Sequence, residues 1–194
     1  MKKQLAVVTL LLTAAFILRT NPCFSFDDPD NFRGIKWGSS PADATKIITE
    51  QLKQNGNEWS KITDLGNGTL VFDDTFGSTY SSDYIPVTFI LNFLDNKFVS
   101  AQLSFKPDEF SKIEEIFVKR YGRATSAKNN EVHNPMGARF TNRQLDWIGK
   151  STVVQLMKYA GTVTSGAGFI GQKTWLQHRA QESKKRTTDA ARGL

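Results

Sequence analysis

The sequence predicts an α+β protein: an antiparallel sheet, in one or two pieces, with helices packed against it. Three observations carry that expectation. Two amphipathic segments with helix boundary signals lie well apart in the chain; two strictly alternating segments sit between them; and a weaker run of strands follows the second helix. The order suggests a duplicated α-β-β-β unit over about 31–106 and 107–172, followed by a charged C-terminal helix. At 194 residues and 39% hydrophobic, with 14 Phe and 4 Trp, the chain has material for a core and is too aromatic for a solvated coil.

Residues 1–25 have the make-up of an export signal. Lys2 and Lys3 precede 14 mostly apolar residues, 5–18, and Arg19 and Pro22 close the run. As a helix that run rises about 21 Å, short of a hydrocarbon core of about 30 Å. Cys23 and Ser25 fit the −3 and −1 positions of a cleavage site before Phe26, so a periplasmic or secreted protein with no remaining transmembrane span is expected. A lipidated Cys23 is the weaker alternative, because Thr20-Asn21-Pro22 lacks the usual lipoprotein processing pattern.

The first helix is announced by Ser40 as N-cap, Pro41 at the first helical position and Asp43 three residues past the cap. Ala44, Ile47, Ile48 and Leu52 then share a face, and Asn55-Gly56 stops the run. A strand is expected over 68–76. Val87, Phe89, Leu91 and Phe93 alternate along the next, and Val99, Ala101, Leu103 and Phe105 along its partner, with Asp95-Asn96-Lys97 as the turn. Pro107-Asp108-Glu109 opens the second helix, whose stripe is Phe110, Ile113, Phe117 and Tyr121 and whose end is Gly122. Three further strands are expected at 137–148, 151–159 and 164–170, then a helix from about Lys173.

The chain carries 25 Lys and Arg against 19 Asp and Glu, a formal charge of +6. Division along the chain changes its meaning. The leader holds +3 and the tail 173–194 holds +4, leaving 16 bases against 17 acids in the body 26–172. A near-neutral body offers no nucleic-acid footprint.

Motifs that resemble chemistry lose their context on inspection. Gly166-Ala167-Gly168-Phe169-Ile170-Gly171 matches G-x-G-x-x-G, but no second parallel strand with a ribose-binding acid follows, so a Gly-rich strand or turn is expected. Gly149-Lys150-Ser151-Thr152 resembles the end of a phosphate-binding loop but falls in a hairpin, with Gln144 where the first Gly is required. A single Cys excludes a disulfide scaffold. A nucleophilic triad would depend on His133, in a loop expected over 129–135, because His178 lies in the tail. Asp27-Asp28-Pro29-Asp30 could gather oxygen ligands for calcium, but it lacks the glycine and distal glutamate of a calcium loop, and a polar N-terminus explains it more simply; Asp73-Asp74 reads as turn acids beside a strand. Asn67-Gly68-Thr69 fits a glycosylation acceptor of use only on a eukaryotic secretory route. No cofactor and no metal are expected.

In the tail, Trp175, Leu176, Ala180, Ser183, Thr187, Ala191 and Leu194 fall on one helical stripe surrounded by bases. Trp175, Lys184, Lys185 and Arg186 are therefore the candidate contact residues, toward an envelope protein or an anionic surface. The stripe is poor in large apolar groups, and a solvated helix explains it more simply.

The segment Phe32-Arg33-Gly34-Ile35-Lys36-Trp37-Gly38-Ser39-Ser40 resembles the F-x-G-I-x-W-G-x-S opening of an uncharacterised family of small secreted Gram-negative proteins. Residues 93–101 and the helix end Lys119-Arg120-Tyr121-Gly122 are similar too. At the level of fold the plan is similar, more distantly, to BamE-like and β-lactamase-inhibitor-like modules. The resemblance carries no functional residue across. Because no catalytic constellation assembles in the sequence, a non-catalytic, protein- or surface-binding envelope module is expected. The alternatives are an inhibitor or adaptor presenting loops 77–84 and 124–136, and, less favoured, a hydrolase working through scattered carboxylates and His133.

Overall fold

A computed structural model describes residues 26–77 and 83–192. The expected export signal with Cys23, the middle of the expected loop 77–84, and Leu194 lie outside the described residues.

The opening motif makes a small hairpin of β1 (Asn31–Phe32) and β2 (Ile35–Lys36). Its two turn residues, Arg33 and Gly34, both have positive φ (50° and 78°), which matches a two-residue hairpin to the strand twist. Phe32 and Ile35 enter the core, and Trp37 stacks on Phe98 at 5.0 Å between ring centroids. Ser40 then caps α1 (Pro41–Gln54), its Oγ accepting the Asp43 N–H at 3.2 Å. Ala44, Ile48 and Leu52 are the buried face.

After one 3₁₀ turn at Pro107–Glu109, α2 (Phe110–Tyr121) buries Phe110, Ile113 and Phe117. It ends at Gly122, whose φ of 74° suits only glycine without strain.

The strands are β3 (Thr63–Asp64), β4 (Thr69–Phe76), β5 (Ile85–Leu94), β6 (Lys97–Phe105), β7 (Ser126–His133), β8 (Arg139–Ile148), β9 (Thr152–Met157) and β10 (Gly166–Gln172). They form one antiparallel sheet in the order β3-β4-β5-β6-β10-β9-β8-β7. That order is a palindrome in kind. Each half is a helix followed by four strands, and the last strands of the two halves, β6 and β10, join at the centre over six residue pairs.

The halves therefore hold one strand more than the three expected. The addition in the second half is β7, where residues 124–136 were expected as a loop. Its residues are nearly all exposed, so an edge strand held by main-chain pairing to β8 shows no apolar period. Between β5 and β6 the turn is Asp95-Asn96 alone, both at positive φ, and Lys97 already belongs to the strand. The register slips by one between Asn92 and Phe93, leaving Val99 as the extra residue of a bulge.

One core fills the space between the sheet and its two helices. Phe89 faces Leu103, Leu91 faces Ala101, and Leu145, Trp147, Val154, Leu156 and Ile170 continue the same face across the second half. Trp147 is fully buried and donates its indole N–H to the Gly122 carbonyl at 2.9 Å. Emptying a site like Trp147 or Phe89 costs roughly 3–5 kcal/mol.

The G-x-G-x-x-G segment is β10, a central strand, as the Gly-rich strand reading requires. Its glycines are there for close packing: a Cβ on Gly166 would lie 2.3 Å from the Phe105 ring, one on Gly168 2.8 Å from the Leu103 side chain, and one on Gly171 2.7 Å from the Phe169 ring.

The hairpin turn from Gly149 to Ser151 does hold an anion, and that anion is the chain's own Asp28. Its carboxylate accepts the Ser151 N–H at 2.8 Å, the Thr152 N–H at 3.0 Å and the Thr152 hydroxyl at 2.6 Å. A Cβ on Gly149 would sit 1.8 Å from it. Burial alone would raise the Asp28 pKa, but the hydrogen bonds from Thr152 and Ser151 prevail and hold it down at about 2. With Phe26 packed edge-on against Tyr121 at 6.0 Å, the start of the described chain is fastened to the second half.

The tail forms α3 (Lys173–Arg192). Among the described residues no helix is long and apolar enough to cross a membrane.

Candidate functional site: a cleft beside an exposed tryptophan

The two faces of the sheet differ. Helices α1 and α2 cover one, and α3 lies against the Thr69–Asn92 end of the other, leaving the rest of that second face open. On the other, Val71, Ile90, Gln102, Phe169, Gln155 and Asp146 form a single cross-strand row, half-buried except for the more enclosed Asp146. Asp146 accepts from Ser126 Oγ (3.0 Å), Gln144 Nε2 (3.0 Å) and Gln155 Nε2 (2.7 Å). Burial acts to raise its pKa, but these donors outweigh it and keep the carboxyl below its usual range. A carboxylate so fully supplied with donors is a structural anion.

Where β4 ends and β5 begins, this open face runs into a cleft of about 640 Å³. Trp59 stands at it largely in solvent, 74% exposed, and Tyr84 partly so, 43% exposed. Its floor is hydroxyl-rich: Thr88 Oγ1 donates to Asp73 Oδ1 at 2.7 Å, and the Ser104 and Ser165 hydroxyls are 3.0 Å apart. Lys106 adds one exposed cation.

Trp59 owes its position to a tight turn. The Ser60 N–H closes on the Asn57 carbonyl at 2.8 Å, leaving Glu58 and Trp59 at the corner. Both ends of the turn are bolted to β4. Asn57 Nδ2 donates to Asp74 Oδ1 at 2.6 Å, and Ser60 Oγ donates to the Asp73 carbonyl at 2.5 Å.

Beneath lies a buried polar cluster. Asp74 is 4% exposed and takes an ion pair from Arg33 Nη2 as well as hydrogen bonds from Asn55 and Asn57. The Arg33 guanidinium lies over the Phe89 ring at 4.8 Å, and its Nε donates to Gln51 Oε1 at 3.2 Å. Asp74 is thus a buried strand residue, where a turn acid was expected. Its partners come from the β1–β2 hairpin and from the chain just after α1, 17 to 41 residues away, so local sequence carries no sign of the cluster.

The residues singled out from sequence are placed as follows. In α3 the side chains turned inward are Trp175, His178 and Glu182, at three- and four-residue spacing, rather than the expected stripe from Trp175 through Leu176 and Ala180. Trp175 stacks on His178, and with Arg179 and Arg186 they line a cleft of about 400 Å³ shared with Thr69 and Asn92. Trp175 and Arg186 therefore line the same cleft, about three helical turns apart; Lys184 and Lys185 lie in solvent outside it. His133 is at the exposed end of β7, in a strand where a loop was expected, 2.9 Å from Glu131. Among the described residues no hydroxyl is hydrogen-bonded to it, and no group of three His, Cys, Asp or Glu gathers as metal ligands.

The cleft at Trp59 was not legible in advance. A single Trp in a polar stretch has no period to betray it, and the turn signal in Asn57-Glu58-Trp59-Ser60 is its one local trace. No family model, no curated protein and no solved structure matches the chain.

Proposed function

We propose that the chain is a non-catalytic protein-binding module of the bacterial envelope, and that its contact surface is centred on the cleft at Trp59 and Tyr84 and extends over the open sheet face. The observation that carries this reading is the Trp59 turn. An indole left 74% exposed on a turn fixed at both ends by hydrogen bonds is pre-ordered for contact. Large aromatic groups presented at low entropic cost are the side chains that dominate protein interfaces. The flanking open face, neutral and half-apolar along the row from Val71 to Phe169, supports the same reading by offering continuous area around that anchor. The envelope location rests on the make-up of residues 1–25 and on the resemblance of the opening motif to exported Gram-negative proteins.

A photo-crosslinking residue in place of Lys106, exposed at the cleft, tests the proposal in cells that express the chain. A second chain carries it in place of Val118, exposed on α2. A discrete adduct from position 106, absent from position 118 and lost on Trp59→Ala, is the expected result. Absence of any adduct at 106 from folded protein, or an adduct indifferent to Trp59→Ala, overturns it.

A further inference from the structure

A second cavity, on the helix side of the sheet, has a different chemistry. It lies in the seam between the two halves: its floor is Leu103 of β6 and Ile170 of β10, and its walls come from the β1–β2 hairpin, the end of β4 and α2. The volume is about 320 Å³, close to ten water volumes at ~30 Å³ each. Each half brings one helix to cover its own strands, and the gap is left where the two coverings meet.

The lining is mostly hydrocarbon. Phe32 and Phe76 stand on one side, Ile116 and Tyr121 on the other, over the buried Leu103 and Ile170. The cavity opens to solvent on the side of Arg120, so a ligand could enter it without unfolding either half. The polar residues of the lining are Asn55, Thr75, Tyr121 and two arginines, and only the arginines carry charge. Arg33 is already neutralised by Asp74. Arg120, exposed and lying over the Tyr121 ring at 5.7 Å, forms no ion pair with any described acid, so it leaves one uncompensated positive charge on the lining. An apolar cavity between packed elements with a few charged groups is the general form of a small-molecule site.

We infer that this seam binds a single-chain carboxylate amphiphile, a medium-chain fatty acid in free monomeric form, with its hydrocarbon chain over Leu103 and Ile170 and its carboxylate at Arg120. The apolar walls select the tail, and the unpaired cation selects an anionic head. The volume accommodates one unbranched chain.

Sodium decanoate below its micelle concentration is the probe, added to the protein spanning 26–194 and followed by calorimetry and by the methyl resonances of Ile116 and Ile170. The expected result is saturable one-to-one binding that shifts both methyls. Arg120→Ala is expected to weaken it about tenfold, the loss of one charge-assisted contact. Decanol should bind Arg120→Ala and the unaltered protein equally, because it lacks the charge. Ile116→Trp, which fills the cavity, should abolish decanoate binding while leaving the crosslink at position 106 intact, so that this site and the Trp59 cleft fail or stand separately. Absence of saturable binding, or binding indifferent to both substitutions, overturns the proposal. A methyl response to phosphatidylglycerol vesicles without one to decanoate would overturn it in favour of a membrane contact.

Discussion

Replacing Asp28 by Asn tests whether the self-held carboxylate secures the start of the chain. The substituted amide would keep one oxygen acceptor but turn an NH₂ group toward the donors of Ser151 and Thr152 that now converge on a carboxylate. The magnitude follows from the ionisation. The Asp28 carboxyl is lowered from 3.8 to about 2, and at 1.36 kcal/mol per pH unit that corresponds to ~2.5 kcal/mol of preference for the folded, ionised form. Asp28 is partly in solvent, which screens the interaction, so a working figure is ~1–2 kcal/mol. The sign is that of a depressed carboxyl. The contribution is complete above the unfolded pKa near 4 and disappears as pH falls toward 2. Urea unfolding of the 26–194 protein at pH 7 should therefore show Asp28→Asn less stable by that amount at unchanged slope, and the gap should narrow below about pH 4 and close only as the pH falls through about 2. Equal midpoints at pH 7, or a gap that persists undiminished in acid, would refute the reasoning.

Other expectations follow from packing and pairing. Gly168→Ala drives a methyl to 2.8 Å from Leu103 in the middle of the sheet and should cost ~1–3 kcal/mol in the same urea assay. Asp74→Ala strands the Arg33 guanidinium and both Asn partners; a loss of about 3–5 kcal/mol is expected, with Asp74→Asn in between, measured by thermal and urea unfolding. Removal of residues 183–192, exposed throughout, should leave the unfolding free energy within about 0.5 kcal/mol of the full protein, as read by calorimetry.

What local chemistry specifies was legible in the sequence, and what distant chain segments specify was not. The Ser40 cap and the stripe Ala44, Ile48 and Leu52 are consequences of helical spacing, so α1 begins at Pro41 as expected. The alternation of Val87, Phe89 and Leu91 reflects burial of one sheet face, and β5 and β6 pair accordingly. By contrast β7 has Lys128, Asn129, Asn130 and Glu131 in mid-strand, because an edge strand exposed on both sides places no demand on its side chains. The face of α3 that turns inward is chosen by the small sheet residues it meets, and its own composition does not reveal Trp175, His178 and Glu182. The candidate cleft suffers most from this. Its tryptophan is held by Asp73 and Asp74, two acids that in sequence look like any turn, and the pairing of Arg33 with Asp74 spans 41 residues.

The meeting of β6 with β10 has a consequence for self-assembly. Because the two strands run antiparallel at the middle of a mirrored order, an isolated first half, residues 31–106, would expose β6 as an open edge with a ready partner: the same edge on another copy. Two such copies joined about a two-fold axis would rebuild eight strands in the order β3-β4-β5-β6-β6-β5-β4-β3. Sedimentation of that fragment should find a dimer, and adding residues 107–172 should convert it to a heterodimer. Within one chain, then, the protein has the organisation of a symmetric dimer whose subunits have been tied together.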